Sequence, residues 1–466
     1  MSPARGAAFA IVRRLQQTGG HVDLSLEGAP ELRHLDRRDR ALAVELVAGT
    51  VRRRNSLDAV LASVSHDPLS RVQRDVMAAL RLGAYQLLYM DRVPAHAAVA
   101  EGVELIADRG AATRGYVNAV LRQVSRVGRQ TLADLSTGTA VEVLAVRHSH
   151  PQWIVGLFVD ELGQRTAGEL LAAGNIPPER CLHVNSLCAT VEEAQATLRE
   201  DGVVTTPVPG FELALVYEGP LLEATRAFRA GMVTPQSRGS QLAGAVAAGR
   251  VPAAGAVADL CAAPGTKTAQ LAAALPSCRI LAVDADPSRA TALRKNLERL
   301  QVSTVTVLEA DATELQKRDV GQFECVLVDA PCTGLGTLAS RPDLRWRRRP
   351  ADVQRLAALQ RSLLETAAHL VRPGGTLTYS VCTVTRAETL DVVAALSASE
   401  QWHLDDLGAE WPHFADPRKA TCLLTLPSTH GTSGFFIARL HKSPGAGRMR
   451  GERRPKSRRR RREGTG

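Results

Sequence analysis

Two cysteines in the C-terminal half of the chain follow short apolar segments that predict β-strands. Cys332 comes directly after Pro331, and Cys382 lies between Val381 and Thr383. A thiolate can form a covalent intermediate that divides one difficult reaction into easier steps. Addition of a thiolate to carbon 6 of a cytosine would let carbon 5 attack a sulfonium methyl, and loss of the C5 proton would expel the thiol. The pair therefore predicts covalent methylation of a cytosine.

Acidic residues end four successive apolar segments, at Asp259, Asp284, Asp311 and Asp329. A carboxylate after the second strand can accept hydrogen bonds from a ribose diol. One after the third strand suits an adenine amino group. Such acids often only cap the next helix, but four of them at four successive strand ends favour a ligand site.

The first acid opens a turn, DLCAAPGTKT, between a strand and a helix. Gly265 follows Pro264 and permits close approach of the backbone to a ligand. The helix that follows offers unpaired N–H groups to an anionic group such as a carboxylate. Neither a phosphate-binding P-loop nor a G-x-G-x-x-G motif is present, which argues against a dinucleotide.

Strand and helix patterns alternate from about residue 255 to residue 440. This alternation predicts a mostly parallel sheet that is covered by helices on both faces. Ligands of such sheets bind at the carboxyl ends of the strands, and each motif above stands at such an end. The predicted strands are AVADL, RILAVDAD, VTVLEAD, ECVLVDAP and GTLTYSV.

The two cysteines follow the fourth and fifth of these strands. The usual methyltransferase strand order places those strands side by side, so we expect Cys332 and Cys382 to face one pocket. A redox pair is the competing interpretation, but nothing around the cysteines provides its context. None of the eight cysteines forms a C-x-x-C pair, and we expect neither a metal site nor a disulfide framework.

The N-terminal part of the chain has no visible chemistry. Residues 1–130 show helical periodicity and no cluster of acids, cysteines or histidines, which predicts a binding or structural module. Residues 131–240 predict a helical connector followed by a small α+β subdomain, which turns into a helix near Ser240. Residues 241–441 hold the alternating pattern.

The formal net charge is +10, but most of it lies at the C-terminus. Residues 442–466 contain eleven basic and two acidic residues, so residues 1–441 carry about +1. We expect this tail to be disordered and to attract phosphates, or simply to aid solubility. No apolar run is long enough to span a membrane, and the start of the chain lacks a secretion signal, so we expect a cytoplasmic protein.

The motifs DLCAAPGTKT, DADPSRA, DAPCTGLG, RPDLRW, GGTLTYSVCTV and GFFIARL closely resemble the RsmB (Sun or Fmu) family. These are bacterial 16S rRNA cytosine-C5 methyltransferases within the NSUN group. LRLGAYQLLYM, VPAHAAVAEGVEL and GYVNAVLRQV resemble the NusB-like RNA-binding domain of that family. The resemblance covers nearly the whole chain and leaves out only the basic tail.

The resemblance implies a multidomain architecture and a cofactor. It implies an all-α NusB-like domain, a small α+β subdomain and a C-terminal α/β Rossmann-like class I methyltransferase domain. S-adenosyl-L-methionine would be the methyl donor and small-subunit ribosomal RNA the partner, and we expect a monomer without a membrane segment. The residues implied to hold the cofactor are Cys261, Ala262, Ala263, Pro264, Gly265, Thr266, Lys267, Asp284, Asp311 and Asp329.

The resemblance also implies roles in the reaction. Cys382 would be the nucleophile, Cys332 would assist product release, and Asp329 would also lie near the target base. Pro331 would shape its turn. The linking segment with Gln236 and Ser240 would face the active-site side.

Two positions depart from the pattern of the family. Thr266 stands where a second glycine is usual, so a β-branched residue would be strained if the turn required a positive φ. Val381 stands where the family has a hydroxyl before the cysteine, whereas Thr383 keeps the hydroxyl after it.

Three other functions fit parts of the pattern. A DNA cytosine methyltransferase would use Cys332 as its nucleophile, but the chain lacks the large target-recognition region expected there. An RNA-binding ribosome-assembly factor could keep a vestigial methyltransferase fold, which the intact Cys332, Cys382 and Asp329 argue against. A third function is cytosine-C5 methylation of another RNA.

Overall fold

The computed structural model describes residues 2–20, 22–27, 29–219 and 222–444. The last described strand ends at Lys442, whose ammonium donates to the backbone carbonyls of Ala368 and Val371 at 2.9 and 2.8 Å. Lys442 thus belongs to the folded body, and the rest of the predicted tail, from residue 445 onward, lies outside the described residues. Among the described residues, no helix combines the length and apolar character needed to cross a lipid bilayer.

The N-terminal part is a bundle of helices around a core of leucine, valine and alanine side chains. Helix α5 lies at its centre and is buried on nearly all sides. Leu121 of α7 fills the space beside Gly83 and Gly102, where a Cβ atom would lie within 2.7 Å of its side chain. The helices are α1 (Pro3–Thr18), α2 (Val22–Glu27), α3 (Arg37–Arg52), α4 (Arg54–Val64), α5 (Arg74–Tyr89), α6 (Ala95–Glu104) and α7 (Ala111–Leu135).

A helical connector and a small α+β unit follow, as the sequence predicts. The connector comprises α8 (Val141–His148), α9 (Gln152–Leu162) and α10 (Gln164–Ala173). The four strands of the unit pair antiparallel in the order β2-β3-β1-β4. Its elements are β1 (Cys181–Val184), α11 (Val191–Glu200), β2 (Val204–Val208), β3 (Phe211–Glu218), α12 (Arg226–Arg229) and β4 (Val233–Pro235).

A nine-stranded sheet forms the C-terminal part of the described chain. Five parallel strands stand in the order β9-β8-β5-β6-β7, and they are the five strands predicted from the sequence. Their bounds are β5 (Ala256–Asp259), β6 (Arg279–Asp284), β7 (Val305–Glu309), β8 (Phe323–Asp329) and β9 (Val371–Val381).

The other four strands continue the sheet beyond β9 as an antiparallel extension, which the alternating pattern does not predict. β13 pairs with β9, and β10 and β12 both pair with β13. These strands are β10 (Trp402–Leu404), β11 (Ala415–Asp416), β12 (Lys419–Thr425) and β13 (Phe435–Lys442).

Helices cover the two faces of this sheet, and the apolar runs of the central strands are buried between them. This double cover explains why those strands lack polar alternation. The helices are α13 (Arg238–Ala248), α14 (Thr266–Ala274), α15 (Pro287–Arg299), α16 (Leu344–Arg347), α17 (Pro350–Leu370), α18 (Leu390–Ser397), α19 (Leu407–Glu410) and α20 (Pro427–His430).

One fully buried arginine joins the three parts of the chain. The guanidinium of Arg345, in α16, donates to the carbonyl of Arg52 at 3.0 Å and to that of Ser149 at 3.1 Å. It also donates to the Asn175 side chain at 2.8 Å and to the Gly174 carbonyl. Burial lowers the pKa of Arg345, so the neutral oxygens around it must offset the cost of a buried charge.

We expect Arg345→Met to lower the free energy of unfolding by about 3 kcal/mol or more, because several buried carbonyls lose their donor together. Urea unfolding measures this change. Arg355→Met is the matched control, since that side chain is 62% exposed and its ion pair with Asp352 is of a kind worth under about 1 kcal/mol. Equal stability of the two variants would show that Arg345 does not hold the junction.

Candidate active site

The register of β8 and β9 brings the two cysteines together. These strands pair in parallel with Asp329 opposite Ser380, so the residues after them leave the sheet side by side. The sulfur of Cys332 lies 3.3 Å from that of Cys382. The fourth and fifth predicted strands are thus neighbours, as predicted, and the two thiols are in contact at their carboxyl ends.

The two thiols differ in their surroundings. Cys332 is buried, with 9% of its surface exposed, whereas Cys382 is more open. The hydrogen bond from Cys332 lowers the pKa of Cys382, and the nearby cations of Arg341 and Lys267 act in the same direction. The same bond raises the pKa of Cys332, as burial does. Cys382 is therefore the thiol that ionises more readily.

Asp329 lies beside the cysteines and is held by two donors. The ammonium of Lys267 donates to Oδ2 at 2.7 Å, and the hydroxyl of Ser380 donates to Oδ1 at 2.6 Å. Lys267 also lies 5.2 Å from the centre of the Phe435 ring. Because Lys267 comes from α14 and Ser380 from β9, the carboxylate is fixed between the cofactor turn and the strand that leads to Cys382.

Gly265 carries the unusual backbone of the cofactor turn. Its φ is +98°, and a Cβ atom there would lie 2.6 Å from Leu293. Thr266 is the first residue of α14 and is not among the described residues with positive φ. The strain that a threonine at this position would cause in a left-handed turn does not arise, because Gly265 already makes the left-handed step.

Asp259 lies beneath this turn, fully buried. Its Oδ2 accepts a 2.7 Å hydrogen bond from the hydroxyl of Thr268, while its Oδ1 has no hydrogen-bond partner among the described residues. Burial raises the pKa of Asp259 to about 6. Burial also raises the pKa of Cys261, and the negative charges of Asp259 and Asp329 raise it further. Cys261 is therefore a neutral thiol.

Asp284 and Asp311 follow the next two strands and differ in their roles. Asp284 is buried, accepts from the backbone N–H of Ala263 at 3.2 Å, and lies 3.3 Å from the guanidinium of Arg289. Asp311 is exposed, and its Oδ1 accepts from the N–H and hydroxyl of Thr313 at 2.9 and 2.7 Å. One oxygen of Asp311 thus caps a short helix, as many acids after strands do.

Gln236 and Ser240 pack at the start of α13. The Gln236 amide donates to the hydroxyl of Ser240 at 3.3 Å and to the side chain of Gln270 at 3.1 Å. Gln270 belongs to α14, the helix that carries Lys267. Gln236 therefore links the start of α13 to α14, the helix that follows the predicted cofactor turn.

Two side chains of the site escape sequence reasoning. Ser380 has the polar character of many strand residues, and only its register opposite Asp329 gives it a partner. Glu388, fully buried six residues after Cys382, follows no strand pattern and carries no motif signal beyond its spacing from the cysteine. Within the described residues, no group of histidine, cysteine or acidic side chains is arranged to hold a metal ion.

Known proteins match the chain in three consecutive segments. Residues 252–441 match the family described as 16S rRNA methyltransferase RsmB/F, and residues 2–126 match the NusB family. Residues 150–222 match the ferredoxin-like domain described as RsmF/B-like. The predicted order of a NusB-like domain, an α+β subdomain and a methyltransferase domain is confirmed.

Relatives match over almost the whole chain. Ribosomal RNA small subunit methyltransferase B of Vibrio cholerae is 34% identical over 94% of this chain and 97% of its own length. The protein of the same name from Cronobacter sakazakii is 31% identical over 94% and 98%. The crystal structure of PH0851 matches with a TM-score of 0.79 and 26% identity, over 95% of this chain and 99% of that one. This chain therefore belongs to the RsmB/F family of 16S rRNA methyltransferases.

Proposed function

We propose that this chain methylates carbon 5 of a cytosine in 16S rRNA, with S-adenosylmethionine as donor and a covalent cysteine adduct as intermediate. The observation that carries the proposal is the 3.3 Å contact between the sulfurs of Cys332 and Cys382, beside a fixed Asp329. At this distance the second thiol can act on the bond between the first sulfur and the base, as an assisted release requires.

The residues at the carboxyl ends of the parallel strands fit the proposed cofactor. Gly265 makes the left-handed step of the turn, with a φ of +98°, and leads into the N-terminus of α14. Asp284, which accepts from Ala263 of the same turn, suits a ribose diol. The Oδ2 of Asp311, which accepts no hydrogen bond within the described part of the chain, suits an adenine amino group. Cys261 to Lys267 would surround the remainder of the cofactor. When bound, S-adenosylmethionine supplies an electrophilic methyl group.

The resemblance to the family implies the roles of the two cysteines, and the lowered pKa of Cys382 agrees with them. The Cys382 thiolate bonds to carbon 6 of the base, and carbon 5 then takes the methyl group. Transfer of the carbon 5 proton to a base restores the double bond between carbons 5 and 6, and the electron pair of the bond between sulfur and carbon 6 leaves with the Cys382 sulfur as a thiolate. Cys332, which touches the Cys382 sulfur, is placed to assist this release. Asp329 is held by Lys267 and Ser380. It is the candidate acid that would lie next to ring nitrogen N3 of the target base.

The substrate class rests on the family and on the helical domain. The relatives from Vibrio cholerae and Cronobacter sakazakii are named for the small-subunit ribosomal RNA. The NusB-like residues 2–126 give the RNA a second contact outside the catalytic part, and we assign RNA binding to residues 1–130. The target cytosine must be unpaired or flipped, because a stacked base cannot reach the thiols.

A DNA methyltransferase that uses Cys332 as the nucleophile fits the geometry less well. Cys332 is the more buried thiol, and its pKa is raised by its hydrogen bond with Cys382. An assembly factor without turnover would not need the Lys267–Asp329 pair or the contact between thiols.

We expect Cys332→Ala to accumulate a covalent RNA adduct, because attack by Cys382 remains and release is impaired. Cys382→Ala should form none. Denaturing gel electrophoresis with labelled small-subunit RNA and S-adenosylmethionine measures both, and Cys422→Ala, which alters a buried cysteine on β12, is the control. An adduct in Cys382→Ala and none in Cys332→Ala would exchange the two roles.

We expect the full-length protein to protect one cytosine of small-subunit RNA from bisulfite conversion when S-adenosylmethionine is present. A 5-methyl group slows deamination of that base, so sequencing after bisulfite treatment shows it as an unconverted position. The Cys382→Ala variant should leave every cytosine convertible. Methyl incorporation without a protected cytosine would place the methyl group on another atom and contradict the proposal.

A further inference from the structure

Glu388 is a fully buried carboxylate behind the two cysteines. It ends a short 3₁₀-helix, Arg386–Glu388, that follows β9 and Cys382. No ion pair joins it to a cation in the described part of the chain. A buried charge without a counterion is costly unless several hydrogen bonds satisfy it, so its donors show what the carboxylate holds.

Five hydrogen bonds converge on the Glu388 carboxylate. Oε1 accepts from the backbone N–H of Thr333 at 2.8 Å and from the Gln360 amide at 3.2 Å. Oε2 accepts from the hydroxyls of Thr333 at 2.5 Å, Thr385 at 2.9 Å and Thr383 at 3.3 Å. Hydrogen bonds to an ionised acceptor are the stronger kind, so this carboxylate is a firm anchor.

Four of the five hydrogen bonds come from the two cysteine loops, residues 330–334 and 382–385, and the fifth comes from Gln360 of α17. Thr333 directly follows Cys332, and Thr383 directly follows Cys382. The hydroxyls of these threonines also lie 2.9 Å apart. A single carboxylate thus binds the residue after each cysteine, and it does so on the side of the loops away from solvent.

Other bonds fix the same two loops around this anchor. Gln360, which donates to Glu388, also donates to the carbonyl of Pro331 at 2.9 Å. The hydroxyl of Tyr379 donates to the Glu388 carbonyl at 2.7 Å and holds the 3₁₀-helix against β9. The carboxylate is therefore itself held in place, as an anchor must be.

We propose that Glu388 is a positioning residue that holds the Cys332 and Cys382 loops so that their thiols meet. The expected loss of methylation rests on the proposed function. The contact between the two thiols can be tested even if that function is wrong. Glu388 is buried and acts through Thr333 and Thr383, not on the substrate. Misplacement of reacting groups by about 1 Å can cost about a hundredfold in rate, which is the effect expected when the anchor is removed.

The side-chain chemistry predicts how two variants differ. In Glu388→Gln the amide oxygen can still accept from the Thr333 N–H, and the amide NH₂ can face the three threonine hydroxyls, which can rotate to accept. Glu388→Ala leaves all five donors without their acceptor. Glutamine should therefore preserve most of the arrangement, whereas alanine should release both loops.

The test measures how fast the two thiols close to a disulfide in the full-length protein. Diamide takes two electrons and two protons from a thiol pair, and peptide mapping without reductant quantifies the Cys332–Cys382 bond. We expect Glu388→Ala to slow closure by about tenfold or more and to lower kcat by about a hundredfold, while KM for RNA changes little. Glu388→Gln should stay within about threefold of the native chain on both measures.

Glu161→Gln is the matched control. Both oxygens of Glu161 accept from the Arg386 N–H at 2.9 Å, so it holds the same 3₁₀-helix from outside. It also pairs with Arg418 at 3.6 Å, and neither contact includes Thr333 or Thr383. Thr383→Val is the milder variant, because it removes only one of the hydrogen bonds to Glu388. We expect it to slow disulfide closure as well, and it replaces Glu388→Ala in the test if that variant does not fold.

Disulfide closure at the native rate in Glu388→Ala, or in Thr383→Val where the alanine variant does not fold, would overturn the proposal. Slow closure in Glu161→Gln would overturn it too, because any disturbance of the 3₁₀-helix would then have the same effect. Slow closure in Glu388→Ala, in a protein that methylates no cytosine, would support the anchor and refute the proposed function, so the two failures are distinguishable.

Discussion

The parallel pairing of β8 with β9 is the constraint on which the site depends. It sets Asp329 opposite Ser380. Cys382 directly follows β9, and only two residues separate β8 from Cys332. The pairing continues through β5, β6 and β7, so the carboxylates that follow these strands share one edge. The thiols and the cofactor turn are therefore positioned by backbone hydrogen bonds and not by flexible loops alone.

The segment that carries Arg345 connects this edge to the rest of the molecule. Arg345 binds carbonyls of the helical bundle and the connector. Three residues later, Arg348 donates to the carbonyls of Cys332 and Thr333 at 3.0 and 2.9 Å. The same short segment thus contacts the domain assigned to RNA binding and the loop of one cysteine, which gives the two parts of the protein a fixed relation.

Much of this arrangement could be predicted from the sequence, because it depends on strand periodicity and local turn chemistry. The five parallel strands, the glycine turn at Gly265 and the neighbouring cysteines follow from such patterns. The antiparallel extension does not, since its strands lack the alternation with helices on which the prediction relied. Strain at Thr266 was expected only if that position required a positive φ, and it does not, because the helix begins at that residue, after the glycine.

What the sequence missed depends on contacts between distant residues. Glu388 binds Thr333 across 55 positions, and no periodicity signals such a pair. Acidic side chains are rarely fully buried unless they are paired, and five converging hydrogen bonds satisfy this one. The central claim, attack by Cys382 on a cytosine, is tested most directly with small-subunit RNA that contains 5-fluorocytidine, whose ring cannot lose its C5 substituent as a proton. Mass spectrometry of the trapped complex should locate the base on Cys382; a base on Cys332, or no trapped complex, would contradict the account.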